Sequence, residues 1–543
     1  MALTSGTATP AAIGGRRFAL PRVAPLQWLA LVAGLITAVP LAGVVVAALS
    51  GPGADIPLSQ LLGYGLTSAA LALMVGAATA VLGTTAAWLL VMHRFPGHSF
   101  FSWAVALPLA APGFALAYAY ADLFDPAGEL RMWMRVALGF DWPFEMRSIG
   151  GAAFVLSCAF YPYVYLAMRS AFLNQSVAAL EAARMLGCTR RHALFRVALP
   201  MARPALAAGT ALAVMETLAD YGAVQFLSVQ TLTTGVVRAW SVFGSPAGAA
   251  RIALPLLAAA FLLLWIERSA RRGTSHDNGR ARWHRVPVER LGGWRAIAAT
   301  CYCALLLGAG LVLPAAWLAA SALDHSPELP RLAGSALNSL SLGAGGALVT
   351  TLLALALAIG ASRAPIAARI ASLGYATPGA VMAIGLLAPA ALVWHFAPMA
   401  SSFWIAIALL IYAYAARLMA AALEPIDAGL SRVSPSMLWA GRTLGRSEAG
   451  AALSVQIPIA RGALLTAGLI VFVDILKELP ATLMLRPFNF DTLAVSANNY
   501  ALDERLGQAG WPSLLIIALA LPPVIWLSRR IAASRPGDEG RER

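Results

Sequence analysis

The sequence is short of charge and nearly without lysine: 12% of its 543 residues are charged and Lys477 is the only lysine, against roughly 25% charged in soluble domains. Together with an apolar fraction of 59%, that scarcity excludes a water-soluble fold. The single lysine also excludes a phosphate-cradling loop. Such a loop needs Gly-x-x-x-x-Gly-Lys followed by Ser or Thr, and Lys477 stands between Leu476 and Glu478. Cysteine is scarce as well. Cys158, Cys188, Cys301 and Cys303 lie in or beside apolar runs, and the last two fall on different sides of a helix, so neither a disulfide frame nor a zinc site is implied. The seven histidines show no ligand spacing, and no metal site is assigned from the residues. A large outer domain is missing too, since the longest external loop is about 125–149.

What the chain does have is apolar runs of 18 to 30 residues, the length needed to cross about 30 Å of hydrocarbon. Six spans precede the middle, near 26–50, 67–92, 101–124, 150–168, 204–229 and 250–267. Six more follow near 294–321, 338–361, 371–395, 402–417, 462–485 and 511–528. Pro112-Gly113 and Pro378-Gly379 predict breaks inside two of them. The organisation is therefore a short segment 1–25, a six-span unit 26–267, an Arg-rich linker 268–293, a second six-span unit 294–528 and a tail 529–543. With twelve spans, 30 of the 38 arginines fall on one side, Arg417 counted among them. The positive-inside rule makes that side cytoplasmic and places both termini there, in a multi-pass inner-membrane protein. The dispersal of arginine over many loops, without interleaved aromatics, argues against a nucleic-acid partner and for the lipid bilayer.

The two units repeat. A shift of 258 carries Arg184, Leu186, Gly187, Pro200, Arg203 and Thr234 onto Arg442, Leu444, Gly445, Pro458, Arg461 and Thr492. The same shift puts Glu216 on Asp474 and Asp220 on Glu478. Each unit has an even span count, so the halves run parallel across the membrane and enclose any pathway at their seam. Each also has one long cytoplasmic loop, 170–203 and 418–461, with 13 residues from its Gly to its Pro.

The Glu181-Ala182-Ala183, Gly187 and Val197-x-Leu199-Pro200 spacing, matched by Ala440-Gly441, Gly445 and Ile457-Pro458, resembles the cytoplasmic signature loop of ABC importer permeases. The resemblance implies an all-α integral membrane protein of about 12 transmembrane helices, two tandem parallel six-helix repeats of the type I importer kind. It implies that these loop residues form coupling helices seated on two copies of an ABC ATPase, which hold ATP and Mg; no cofactor falls to this chain, and a periplasmic binding protein delivers the substrate. Trp439 stands where the second Glu would be, so no acidic contact carries over there. The stretches Met215–Gly222 and Lys477–Thr482, with Arg486–Leu493, resemble the fused ferric-iron permeases; fused thiamine permeases share the architecture. A gradient-driven secondary transporter is the competing class, and it leaves the paired loops without a purpose. A membrane enzyme would need a polar constellation near one interface, and there is none beyond the mid-span acids.

Those acids are the candidate site. Glu216 and Asp220, like Asp474 and Glu478, are four apart and so predict one helical face each. The first acid of each pair lies about 18 Å along its helix, near mid-membrane. A carboxylate there must face a seam, a cavity or a counter-charge. Two readings stay open: a charge cluster fastening the halves, with Lys477 bridging acids of both, or a translocation path offering Glu216, Asp220, Tyr221, Asp474 and Glu478 as hard oxygen ligands to a hard cation.

Overall fold

The structure is a computed structural model that describes residues 25–50, 56–126, 128–140, 143, 145–173, 185, 192, 194–271, 289–360, 365–374, 376–396 and 402–533. Among these, 9 helices are long and apolar enough to cross a membrane. The count rises to 11 with two bent pairs, His98–Ala110 with Gly113–Leu123 at 91° and Phe195–Met201 with Arg203–Ala219 at 59°. The remaining expected span is a shorter apolar helix, Gly379–Ala391. The break expected at Pro112-Gly113 is present, and the bend at Ala202, between Phe195–Met201 and Arg203–Ala219, is one that the run lengths do not announce. Proline is the reason: Pro112-Gly113, Pro200 with Pro204, and Pro378-Gly379 stand at or beside the breaks.

A break inside hydrocarbon frees carbonyls that lipid cannot satisfy. Around the first break, side chains from elsewhere do so. The hydroxyl of Tyr165 donates to the Ser102 carbonyl (2.8 Å) and that of Tyr161 to the Val105 carbonyl (2.9 Å). Lys477, from the other half of the chain, donates through Nζ to the Leu109 carbonyl (3.2 Å).

The repeat is visible in local geometry. A five-residue π turn occupies Leu194–Ala198 and another Ala452–Gln456, each followed at once by the Leu199-Pro200 or Ile457-Pro458 pair. After it the halves differ. The second continues straight through Ile457–Leu476, whereas the first bends at Ala202. Pro204 in the first half takes the repeat position of Gly462 in the second, and a proline there, four residues after Pro200, removes a further amide from the turn.

The halves are interlocked by exchange of their first helices. Pro25–Leu49 packs on Leu329–Gly360, Pro365–Gly374 and Gly379–Phe396 of the second half. Reciprocally, Leu313–Leu323 packs on Gly113–Leu123, and Tyr120 Oη donates to the Ala309 carbonyl (2.7 Å) while Trp317 Nε1 donates to Asp122 Oδ2 (2.8 Å). Leu506–Ala533 also lies on the first half, where Arg169 donates to the Ile531 carbonyl (2.9 Å). In the crossing of the first helix, Gly43 and Gly385 meet backbone to backbone; a Cβ on Gly385 would fall on the Pro40 carbonyl. Close backbone approach through small residues is how helices associate in lipid.

Gly385→Val overpacks this crossing and should cost about 1–3 kcal/mol, read as a lowered melting temperature of the detergent-purified chain. Gly345, whose Cβ position is open, is the control: Gly345→Ala should leave the melting temperature unchanged or raised.

Candidate functional site

The expectation that Glu216 and Asp220 share one helical face, and Asp474 and Glu478 another, is corrected: each helix ends before its second acid. Arg203–Ala219 stops at Asp220, whose backbone is extended (φ −65, ψ 134), and Ile457–Leu476 stops at Lys477. Each second acid instead caps the short helix that follows. Asp220 Oδ1 accepts from the amides of Ala223 (3.0 Å) and Val224 (3.1 Å) at the start of Gly222–Phe226. Glu478 accepts from Ala481 N through Oε1 (3.0 Å) and from Thr482 N through Oε2 (3.0 Å) at the start of Pro480–Leu485. A carboxylate at a helix start satisfies orphan amides and the positive end of the dipole together. In the second half the cap is reinforced, since Thr482 Oγ1 shares hydrogen bonds with Glu478 Oε2 (2.7 Å) and Tyr414 Oη (2.6 Å).

The Pro-Gly breaks lie against these caps. A Cβ on Gly113 would come within 3.2 Å of Asp220 Oδ2, and one on Gly379 would strike Glu478 Oε1. Glycine is therefore required at 379 by close approach of a buried carboxylate, in addition to its part in the break.

The cation joining the halves is Arg417, not Lys477. Arg417 lies within the continuous helix Ser402–Leu430, where its Nη1 is 3.4 Å from Glu478 Oε1 and its Nη2 is 3.7 Å from Glu216 Oε2 of the first half. The sequence reading closed this span at 417 and counted its arginine with the cytoplasmic loops; the helix continues to Leu430 and keeps Arg417 inside. Lys477 pairs within its own half, with Asp474 Oδ1 at 3.0 Å, and donates across the seam to the Leu109 carbonyl.

Glu216, Asp220, Tyr221, Arg417, Asp474, Lys477 and Glu478 all line one narrow cleft at the seam, of about 80 Å3. Exposure separates the acids. Glu478 is 1% exposed and fully engaged as a cap, whereas Glu216 and Asp474 are 25% and 23% exposed and face the cleft. No group of three or more His, Cys, Asp or Glu side chains able to hold a metal ion exists among the described residues. The cleft gathers charged side chains from both halves.

The loop residues divide differently. Glu181, Ala182, Ala183 and Gly187 lie outside the described residues. Ile457-Pro458 opens the helix that runs to the cleft, whereas Leu199-Pro200 opens the short turn Leu199–Met201, set off by the bend at Ala202 from Arg203–Ala219. Ala440 and Gly441 belong to the helix Pro435–Thr443, which ends in a left-handed turn at Gly445 (φ +79), where the Arg446 amide donates to the Gly441 carbonyl (3.2 Å). That bond and that φ form a Schellman cap. Met437, Trp439 and Leu444 of the same knob are exposed, Trp439 by 68%.

Residues missed by sequence reasoning are Arg417, Tyr414 and Thr482. A charged residue amid apolar neighbours of a long run, as at Arg417 between Ala416 and Leu418, was the available signal.

Residues 80–275 match the family described as binding-protein-dependent transport system inner membrane component. The Fe(3+)-transport system permease protein FbpB 2 of Haemophilus influenzae is 24% identical over 460 residues, 82% of this chain and 86% of that protein. The molybdenum transport system permease protein ModB of Escherichia coli is 28% identical over 199 residues, 34% of this chain and 84% of its own length. The sulfate transport system permease protein CysT of Escherichia coli is 30% identical over 194 residues, again 34% of this chain and 67% of its own.

Removing one partner of a buried ion pair costs about 3–5 kcal/mol because the other charge is stranded. Arg417→Met should accordingly destabilise the purified chain strongly, Arg417→Lys much less, and Arg417→Met with Glu216→Gln less than Arg417→Met alone. Melting temperatures of the three variants check this; equal losses in all three would refute the bridge.

Proposed function

Because residues 80–275 make this chain an inner membrane component of a binding-protein-dependent transport system of the ABC type, working with a binding protein and an ATPase, we propose that it carries ferric iron along the cleft at its seam. The observation that carries the reading is the cleft itself, where carboxylates from both halves, Glu216 and Asp220 with Asp474 and Glu478, outnumber the cations Arg417 and Lys477. Such a lining favours a hard cation over an oxyanion. The similarity to the Fe(3+)-transport permease supports it by extending over 82% of the chain, hence both halves, while the molybdenum and sulfate relatives match about a third. Glu216 and Asp474, the acids facing the cleft, act as transient electrostatic stations; weak successive contacts let the ion leave as well as enter. Asp220 and Glu478 hold the broken helices that shape the path.

Two copies of the ATPase grip the loops that follow Leu173 and Leu430 and lead into Arg203–Ala219 and Ile457–Leu476, one each, and hold the ATP and Mg; this chain binds no cofactor. Both termini are cytoplasmic. The rigid element linking engine to path is Ile457–Leu476, which starts at the loop's Ile457-Pro458 and carries Asp474 about 25 Å further on. Movement of the Pro435–Thr443 knob therefore shifts the cleft acids directly, and its exposed Trp439, Met437 and Leu444 are the apolar surface an ATPase would cover.

In proteoliposomes holding the chain with its binding protein and ATPase, ATP-dependent uptake of radiolabelled iron is expected, with none of thiamine or molybdate; uptake that persists without ATP under a proton gradient would instead make it a secondary transporter. Glu216→Gln with Asp474→Asn should lower iron uptake roughly tenfold, the effect of about 1.4 kcal/mol, with ATP hydrolysis retained. Gly445→Val, which forces a β-branched residue into a left-handed turn at about 1–2 kcal/mol, should insert normally and hydrolyse ATP while uptake falls.

A further inference from the structure

At the end of the molecule that carries the Pro435–Thr443 knob, three helices leave a groove between them. Ser402–Leu430, Ile457–Leu476 and Leu506–Ala533 flank an open groove of about 370 Å3, lined by Gly429, Ile459, Gly462 and Ala463 together with Arg432 and Arg530. Both arginines are exposed, and neither has an acidic partner among the described residues. Two like charges held near one opening without a counter-ion call for an anion to occupy it.

The depth of the groove says what kind of anion. Arg432 lies two residues past the end of one span, and Arg530 lies in the last turn of another. Arg530 stacks over Trp526, Cζ 4.3 Å from the ring centroid, and the adjacent Arg529 stacks over Trp103 at 4.6 Å. Tryptophan beside arginine at span ends marks the headgroup level of a bilayer. Besides the two arginines the lining is small and apolar except for Thr466, and the one atom near a Cβ on Gly462 would be Arg530 Nη1, at 3.5 Å. An anionic head above an apolar slot is the shape of one phospholipid.

We propose that this groove binds an anionic phospholipid of the inner leaflet, its phosphodiester between Arg432 and Arg530 and an acyl chain along Gly462 and Ala463. Guanidinium forks suit a phosphate bidentately, and basic pockets between spans on the cytoplasmic side are known sites for such headgroups. One lipid per chain is expected, because the duplicated position of Gly462 is Pro204 in the first half. The helices that form the groove carry Arg417 on one side and Asp474 and Lys477 on the other, so an occupied groove braces the frame of the cleft. Naming the inner leaflet rests on the cytoplasmic placement of the knob proposed above.

The test uses the full chain in mild detergent, with retained lipid counted by native mass spectrometry after equilibration with phosphatidylglycerol or phosphatidylcholine of the same acyl chains. Wild type should hold one phosphatidylglycerol in preference to phosphatidylcholine. The double variant R432Q/R530Q should bind it roughly 30-fold more weakly, R432K/R530K within a few-fold of wild type, and Gly462→Leu, which fills the slot and keeps both charges, should lose it as well. Unchanged retention in R432Q/R530Q and Gly462→Leu overturns the proposal. So does equal binding of sn-glycerol 3-phosphate that is indifferent to Gly462→Leu, which would make the ligand a soluble phosphate. Loss of ATPase assembly in R432Q/R530Q with lipid retention intact would assign the rim to the ATPase instead, and also overturns it. Ser431→Cys, in a chain whose native cysteines are replaced by alanine, separates the two readings: retained lipid with Ser431→Cys labelled from outside leaves the lipid site standing and sinks the orientation alone.

Discussion

Hydrocarbon supplies no hydrogen bonds, so each helix broken within it must have its loose amides and carbonyls answered from inside the protein. Much of this structure follows from that demand. The carbonyls of Ser102, Val105 and Leu109 are met by Tyr165, Tyr161 and Lys477, and the amides that open Gly222–Phe226 and Pro480–Leu485 by Asp220 and Glu478. Charge is placed in mid-membrane because broken backbone has use for it. Once there, a carboxylate needs a counter-charge or water, and a cleft lined by acids and two cations is the outcome.

Duplication gives the two halves the same parts list, yet the parts have diverged where they meet. Both keep the π turn ahead of the Leu-Pro or Ile-Pro pair and both keep an acid cap. Only the second caps with an acid that also takes a hydroxyl bond from threonine and an ion pair from arginine, so its cap is sealed while that of the first half remains half-buried at the cleft. The straight helix of the second half and the bent one of the first likewise transmit displacement differently, because a bend at Ala202 absorbs motion that Ile457–Leu476 passes on. Pulled equally at their two loops, the halves would not move equally at the cleft.

The exchanged first helices limit how they can move at all. With Pro25–Leu49 seated on the second half and Leu313–Leu323 on the first, separation of the halves would tear apart a glycine-to-glycine crossing and several cross-half hydrogen bonds. Rocking about the interlock preserves both.

The many-span all-helical character, the breaks at the two Pro-Gly steps, the repeat and the acids within long apolar runs were all legible in the residues, because each depends on local chemistry: run length against bilayer thickness, a missing amide, a shared offset, a costly charge. Arg417 was misplaced by the same kind of reasoning, since a span's end is set by where the helix stops being packed and not by its first charged residue. The use of Asp220 and Glu478 as caps, the substitution of Arg417 for Lys477 as the bridge between acids of both halves, and the exchange of first helices belong to tertiary structure alone. They depend on which elements, hundreds of residues apart, arrive at the same point, and a hydropathy pattern carries each helix's polarity without recording its neighbours.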